Sequence, residues 1–238
     1  MQKKNVILFL VFLLSITLYY LYVDNFTTTS NVIKHENIKV IRVLDGDTLE
    51  LENKEKIRLL GINTPEKKTF LSNESTAFTK QLENKTVDVE VLEKDKYGRS
   101  LGYVFYNSLL INEEILKRGF AHLFVYEEDK YTSRLKSAEQ YARENQLGLW
   151  KKSPNFGCIA LTEFKHTEDG ERCTNKERII LENFCTTLQV YLKDDATHDE
   201  NITLSKGTFE KNFSCIFNDE GDSLYIWDEK GLLVFQRY

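Results

Sequence analysis

The sequence lacks the excess of positive charge that a protein binding a polyanion usually carries. Its formal net charge is −5 at pH 7. The deficit is uneven, because residues 36–153 contain 20 Lys and Arg against 20 Asp and Glu, whereas residues 154–238 contain 9 against 16. A charge-balanced segment can still gather its basic groups in one cleft. The middle of the chain, unlike its acidic last third, therefore remains open to anionic ligands.

Charged residues are missing from the apolar run over residues 6–23. The run is long enough to cross a bilayer as a helix, and no A-x-A-like cleavage site follows it. Lys3 and Lys4 precede it and favour a cytosolic N-terminus. We therefore expect residues 1–24 to be an uncleaved membrane anchor, with the body of the protein extracytoplasmic. A cleaved signal peptide, which would give a secreted protein, and a buried helix are the alternatives.

Cysteine is absent from the first 157 residues, and the four that follow include no C-x-x-C pair. The missing pair disfavours a zinc site. An even number of cysteines in one small exported segment is typical of two disulfides, with buried free thiols as the remaining alternative. Sequence alone does not choose among the three pairings of Cys158, Cys173, Cys185 and Cys215.

Proline is scarce as well, with two in the chain. Pro154 follows the basic pair Lys151-Lys152, and we place a domain boundary there. The Thr-rich polar stretch after the apolar run has the character of a spacer. The expected organisation is a linker over residues 25–35, a first domain over residues 36–153 and a second domain over residues 154–238.

The first domain has the pattern of short β-strands interrupted by helices. Alternating apolar residues and turn signals predict five strands, and a turn over residues 95–98 joins the last two. Asn112 is a candidate N-cap and Gly119 a candidate C-terminal glycine. Helical spacing predicts three helices, over residues 73–82, 112–119 and 132–147. This combination predicts an OB-like five-stranded barrel packed on three helices.

The second domain has strand patterning without an amphipathic helix. Turn signals such as Lys230-Gly231 separate the predicted strands. These strands cover residues 159–164, 178–182, 189–192, 223–227 and 232–235. We therefore expect a small all-β sandwich stapled by disulfides. The chain as a whole is predicted to be mainly β with α, after an N-terminal transmembrane helix.

Residues able to act on a phosphodiester lie close together in the first domain. Such hydrolysis requires an aimed water, neutralisation of charge on the phosphoryl group and stabilisation of the leaving oxygen. A hard divalent ion held by oxygens supplies part of this, and arginine matches phosphate geometry. Each residue also has a structural alternative, such as a plain β-turn for the two aspartates. The candidates are Asp45, Asp47, Arg58, Asn63, Thr64, Glu66 and Arg99.

Taken together and in this order, the residues resemble the staphylococcal-nuclease-like (thermonuclease) family. The family's three motifs stand here as LDGDT at residues 44–48, RLLGINTPE at residues 58–66 and DKYGR at residues 95–99. The resemblance covers about residues 36–152. It implies a calcium-dependent endonuclease that hydrolyses DNA or RNA with low sequence specificity and leaves 3′-phosphate ends. We expect a monomer without an organic cofactor.

The resemblance also implies a Ca²⁺ site. Its ligands would be Asp47, Asn63 and the Thr64 carbonyl, with Asp45 supporting them. The family's type member has an aspartate where this chain has Asn63. An amide oxygen still binds calcium, but the site loses one negative charge, so we expect weaker calcium affinity.

The remaining roles concern the reaction and the substrate. Glu66 would be the general base. Arg58 and Arg99 would stabilise the five-coordinate phosphorus. The substrate-binding residues would be Lys96, Tyr97 and Tyr126. The alternative function is a catalytically inactive module that binds nucleic acid or protein, which Asn63 favours and the retained arginines and Glu66 disfavour.

The second domain carries a weaker resemblance, to lamin-tail-type immunoglobulin-like modules. The residues that carry it are 177–183, 192–195 and 218–228. No catalytic set stands out among them. His166 and His198 are expected to be surface histidines in loops.

Overall fold

The computed structural model describes residue 15 and residues 33–165, 177–196, 198–214, 216–217 and 222–237. The expected membrane anchor, apart from residue 15, lies outside these residues, as do His166, Cys173 and Cys215. Within the described part of the chain, no helix has the length and apolar character that a membrane crossing requires. Lys34–Tyr238 form one compact unit.

A closed barrel occupies the first part of that unit. The strands described in this part are β1 (Ile33–Val43), β2 (Thr48–Leu51), β3 (Lys56–Leu59), β4 (Ile62–Asn63), β5 (Thr86–Lys94), β6 (Ser100–Tyr106), β7 (Leu109–Leu110) and β8 (His122–Leu123), of which β4 and β8 pair as a separate ribbon. The sheet runs in the order β3-β2-β1-β5-β6-β7, and a parallel pairing of β3 with β6 closes it. The predicted OB-like barrel of five strands, β1, β2, β3, β5 and β6, is thus confirmed.

Apolar alternation explains the barrel core. Val87, Val89 and Val91 on β5 are each at most 2% exposed, while the residues between them are exposed or half-buried. Leu49 and Ile57 complete this core from β2 and β3 and are fully buried. Burying a side chain of this size contributes roughly 1.5–3 kcal/mol. The strands therefore keep the register that points these residues inward.

The three predicted helices are present as α1 (Ser72–Lys80), α2 (Ile111–Lys117) and α3 (Thr132–Glu144). Two details of the prediction were wrong. Asn112 is not an N-cap: it is fully buried, and its amide donates to Leu60 O at 2.8 Å and accepts from Val104 N at 3.1 Å. Helix α3 ends before residue 147, because Gln146 already has a positive φ of 51°.

The second part is a sandwich of two antiparallel sheets. Its strands are β9 (Ile159–Lys165), β10 (Glu177–Asn183), β11 (Leu188–Lys193), β12 (Asp199–Leu204), β13 (Gly207–Phe213), β14 (Ser223–Asp228) and β15 (Gly231–Arg237). One sheet has the order β13-β10-β9 and the other β12-β11-β14-β15. The predicted strands are confirmed, but β12 and β13 were missed. Both lie at sheet edges and leave most side chains exposed, so their apolar signal is weak.

A disulfide joins Cys158 to Cys185, one of the pairings left open by the sequence. A separate apolar cluster, including Trp150, Tyr225 and Trp227, lies between the barrel and the sandwich. Trp227 donates its indole N–H to Leu149 O at 2.8 Å. The two parts are therefore packed together rather than joined only by a tether.

Candidate active site

Asp47 is the centre of the strand–turn that connects β1 to β2. It is 6% exposed, and its Oδ2 accepts hydrogen bonds from Thr64 N at 2.9 Å and Thr64 Oγ1 at 2.6 Å. A Cβ at Gly46 would lie 2.3 Å from Ser75 Oγ, so only glycine allows α1 to approach this turn. Asp47 thus joins its turn to the loop after β4. A plain surface turn would not need these hydrogen bonds.

Asp45 lies beside Asp47 and accepts a hydrogen bond from its backbone N at 3.2 Å. Burial raises the pKa of Asp45, and the negative charge of Asp47 raises it further. A carboxyl group whose ionisation is disfavoured by a neighbouring carboxylate marks a place where a cation is stabilising.

The oxygens near this pair fit a hard cation. Carboxylates, an amide oxygen and a backbone carbonyl are the ligands that calcium accepts, and Asp45, Asp47, Asn63 and Thr64 supply these types. In the described ranges, no group of three or more His, Cys, Asp or Glu side chains is arranged to hold a metal ion. A cation here would therefore depend on the neutral oxygens as well as on the two carboxylates.

Arg58 connects the elements of the site. Its Nε lies 3.1 Å from Asp47 Oδ1, its NH2 donates to Asn63 Oδ1 at 3.1 Å, and its NH1 donates to Leu59 O at 2.8 Å and Ile62 O at 2.9 Å. A guanidinium has five N–H groups. Three hydrogen bonds and the ion pair to Asp47 therefore hold this guanidinium among the described residues. The side chain is 15% exposed, so its direction is set before any ligand arrives.

Asn63 has its two amide atoms directed to different parts of the molecule. Its Oδ1 faces Arg58, whereas its Nδ2 donates to Asp195 O at 3.2 Å and Ala196 O at 2.9 Å, both on the sandwich. Its antiparallel partner on β8 is His122. The imidazole Nε2 of His122 lies 3.1 Å from Asp195 O.

His122 is 1% exposed, and sequence reasoning assigned it no role. Burial, together with the positive charge of Lys193, lowers the pKa of His122 to about 3. The ring is therefore neutral at neutral pH, and the contact with a carbonyl assigns the proton to Nε2. No sequence signal marked this histidine, because its partner lies far away along the chain.

Glu66 lies in the loop after β4 and is exposed. Thr69 donates its N at 3.0 Å and its Oγ1 at 2.6 Å to Glu66 O, which turns the loop. Behind the loop, Pro65 and Phe70 line a small cavity together with Tyr191 of the sandwich. The Glu66 side chain thus faces solvent, while the backbone that carries it is backed by both parts of the molecule.

Arg99 follows the turn between β5 and β6. Asp95 organises this turn: its Oδ1 accepts from Tyr97 N and Arg99 N, each at 2.9 Å, and its Oδ2 accepts from Arg99 Nε at 2.7 Å. Gly98 supplies the required positive φ of 78°. Burial alone would raise the pKa of Asp95, but the hydrogen bonds from Arg99 and Tyr97 hold it below its ordinary value.

The expected substrate residues are the most exposed of the set. Tyr97 is 73% exposed, with Lys96 Nζ 5.2 Å and Arg99 Cζ 5.6 Å from its ring centroid. Tyr126 is 92% exposed. In the part of the chain that the structure describes, no hydrogen bond or ring contact joins Tyr126 to the other candidates.

Strand pairing relates the remaining candidates. Parallel pairing sets Arg58 of β3 against Leu101 of β6, and Arg99 lies two residues before Leu101 in the chain. Leu59 N donates to Asp47 O at 2.8 Å, which joins β3 to the aspartate turn. The fold therefore gathers the carboxylates and both arginines at neighbouring strand ends.

Comparison with known proteins agrees with this arrangement. A family model described as staphylococcal nuclease homologue matches residues 56–152. An uncharacterised protein of Methanocaldococcus jannaschii is 36% identical over 167 residues, covering 56% of this chain and 80% of that protein. A thermonuclease of Staphylococcus hyicus is 35% identical over 130 residues, covering 48% of this chain and 76% of that protein. An uncharacterised endonuclease of Escherichia coli O157:H7 is 38% identical over 117 residues, covering 47% of this chain and 75% of that protein.

The matched residues include Arg58, Glu66 and Arg99 and end before the sandwich. The resemblance of the sandwich to lamin-tail modules therefore stays a prediction. Each of the three relatives is covered over three quarters of its length or more. The closed barrel, the candidate residues at its strand ends and the similarity to these relatives agree. The chain therefore belongs to the staphylococcal nuclease homologue family.

Proposed function

We propose that the chain is a calcium-dependent endonuclease that hydrolyses DNA, RNA or both with low sequence specificity at the extracytoplasmic face of a membrane. Its family makes it a nuclease, a hydrolase of phosphodiester bonds. The observation that carries the finer proposal is the hydrogen-bonded set of Asp47, Arg58, Asn63 and Thr64, which fixes one arginine fork beside a group of hard oxygens.

Calcium, when bound by Asp47, Asn63 and the Thr64 carbonyl with Asp45 nearby, would neutralise charge on the phosphoryl oxygens. The protein's own groups do the rest. Arg58 stabilises the phosphate from a preset position, so little reorganisation accompanies the reaction. Glu66 accepts the proton of the attacking water.

Arg99 begins from a different state. Its Nε is held by Asp95 at 2.7 Å, and its side chain is 32% exposed. A phosphate that replaces the Asp95 carboxylate keeps the charge-assisted hydrogen bond and brings Arg99 to the leaving oxygen. Lys96 and Tyr97 on the same turn contact the neighbouring phosphate, and Tyr126 stacks on a base.

The placement outside the cytosol depends on the apolar run over residues 6–23 and on the lysines before it. The Cys158–Cys185 disulfide supports it, since disulfides persist in oxidising compartments. Protease treatment of intact cells tests this part. Digestion of the body without lysis is expected, and protection of the body until lysis would contradict an extracytoplasmic location.

The competing function is a binding module without turnover, which the loss of a charge at Asn63 would favour. Full-length chain in detergent micelles would be incubated with single-stranded DNA, duplex DNA and RNA, in calcium, in magnesium and with a chelator. We expect cleavage that requires calcium and leaves 3′-phosphate ends. Binding without cleavage at millimolar calcium would instead establish the inactive module.

A further inference from the structure

One loop of the sandwich contacts Asn63 and His122 directly. This loop follows β11 and contributes the carbonyls of Asp195 and Ala196. Asn63 and His122, partners across the β4–β8 ribbon, both reach it: Asn63 Nδ2 lies 3.2 Å and His122 Nε2 3.1 Å from Asp195 O. Asn63 Nδ2 also lies 2.9 Å from Ala196 O. Two adjacent donors of the barrel thus meet two adjacent acceptors of the sandwich.

The loop is itself held firmly from behind. The Asp195 carboxylate accepts from Tyr225 Oη at 2.6 Å and from Ser223 Oγ at 3.0 Å, and Asp195 N donates to Asp222 Oδ1 at 2.9 Å. Lys193 donates its Nζ to Ala196 O. The acceptors that Asn63 uses are therefore fixed by the framework of β14, not by a loose surface segment.

The chemistry of the amide explains why asparagine stands at this position. An amide has an acceptor at one atom and donors at the other, whereas a carboxylate has acceptors only. Asn63 Oδ1 accepts from Arg58, and its Nδ2 donates to the two carbonyls. An aspartate would keep the first contact but would place an anionic oxygen against two carbonyl oxygens. Contact with the sandwich therefore requires asparagine rather than aspartate.

We propose that the sandwich positions the catalytic groups through Asn63: the loop of Asp195 and Ala196 holds the Asn63 amide, and the amide holds Arg58 in its working direction. This inference rests on the proposed function. Asn63 is then a positioning residue, in addition to any contact of its oxygen with a cation. The acidic sandwich therefore contributes to the arrangement of the active site in the barrel.

The test compares two variants of the full chain with one control. Asn63→Asp removes the donor at the barrel side. Tyr225→Phe removes a donor to Asp195 within the sandwich and leaves every barrel residue intact. Thr203→Ala is the control, because it removes an exposed hydroxyl contact to Gln189 in the same sheet, away from the loop. Hydrogen exchange of residues 62–66 and 192–196 would be measured without metal, and kcat and KM with calcium.

Each net hydrogen bond changes a local opening equilibrium by roughly fivefold. Asn63→Asp is expected to speed exchange in both segments by about tenfold or more and to lower kcat by about tenfold, with KM within about twofold. Tyr225→Phe is expected to act in the same direction by about threefold to fivefold. Thr203→Ala is expected to change neither quantity.

A local role for Asn63 as a calcium ligand predicts the reverse. Restoring aspartate would then raise calcium affinity and kcat, with exchange of residues 192–196 unchanged, and this result would overturn the proposal. A normal kcat in Tyr225→Phe together with faster hydrogen exchange would also overturn the proposal. This measurement on Tyr225→Phe can still decide the question if Asn63→Asp fails to fold. No cleavage by the wild type would refute the proposed function, whereas the exchange data alone would still decide whether Asn63 and the loop are coupled.

Discussion

The candidate site divides into two groups that differ in how they are held. The inner group (Asp47, Arg58, Asn63 and Thr64) is buried or nearly so, and each member bonds to another. The outer group (Lys96, Tyr97, Arg99 and Tyr126) lies on turns and loops, and its tyrosines are 73% and 92% exposed.

This difference matches two separate needs of the reaction. Charge that develops in a transition state is best stabilised by groups that do not move. A flexible polymer with many sequences is best held by exposed groups that adapt. The inner group is therefore expected to affect kcat and stability together, and the outer group to affect substrate handling with little effect on stability.

Arg58→Lys should have the largest effect of the substitutions in the two groups. A lysine cannot replace three directed hydrogen bonds and an ion pair, so Asp47, Asn63 and two carbonyls lose partners. We expect kcat to fall by about 10³-fold and the free energy of unfolding by roughly 3–5 kcal/mol. Single-turnover kinetics and urea unfolding would measure these quantities. Arg42→Lys is the control, since that surface side chain is 59% exposed, and an equally mild Arg58→Lys would remove the distinction between the groups.

Arg99→Lys should lower kcat by about 10²-fold, because the leaving oxygen loses the planar guanidinium that donates to it. Its free energy of unfolding should change by less than about 1 kcal/mol, since its pair with Asp95 is partly exposed. The same kinetic and unfolding measurements apply. Arg134→Lys, with its side chain 51% exposed, is the matched surface change. A stability loss as large as that of Arg58→Lys would place Arg99 in the inner group.

Tyr126→Ala should raise KM for single-stranded DNA by about tenfold, because stacking of one base contributes roughly 1–3 kcal/mol. Steady-state kinetics would measure this rise with kcat nearly unchanged. Tyr141→Ala on α3 is the comparison, at 46% exposure. Equal KM values for the two variants would mean that Tyr126 has no part in substrate binding.

Lys96→Ala should have the smallest effect. Loss of one phosphate contact on a single strand lowers the slope of log affinity against log salt by about 0.7, and we expect KM to rise by about threefold. Binding titrations across a salt series, with an uncleaved analogue, would measure the slope. Lys136→Ala is the control, and a slope identical to that of the wild type would exclude a phosphate contact at Lys96.

The proximity of the inner group could be predicted from sequence because its members fall in two short motifs, at residues 44–48 and 58–66. The contact of Asn63 with Ala196 could not, because it spans 133 positions and depends on how the barrel and the sandwich pack. His122 carried no signal for the same reason. Asn112 was read as a helix cap from its local context, although tertiary packing directs its amide to Leu60 and Gly102. Local chemistry was thus predictable, and contacts between distant elements were not.

The central claim is that this barrel performs general-base hydrolysis at Glu66. It is tested most directly by single-turnover cleavage of one labelled DNA strand in calcium by the wild type, Glu66→Gln and Glu74→Gln. Glu74 is an exposed glutamate on α1 and serves as the matched control. We predict a loss of about 10²–10⁴-fold for Glu66→Gln and none for Glu74→Gln. Equal rates for all three proteins would contradict the account.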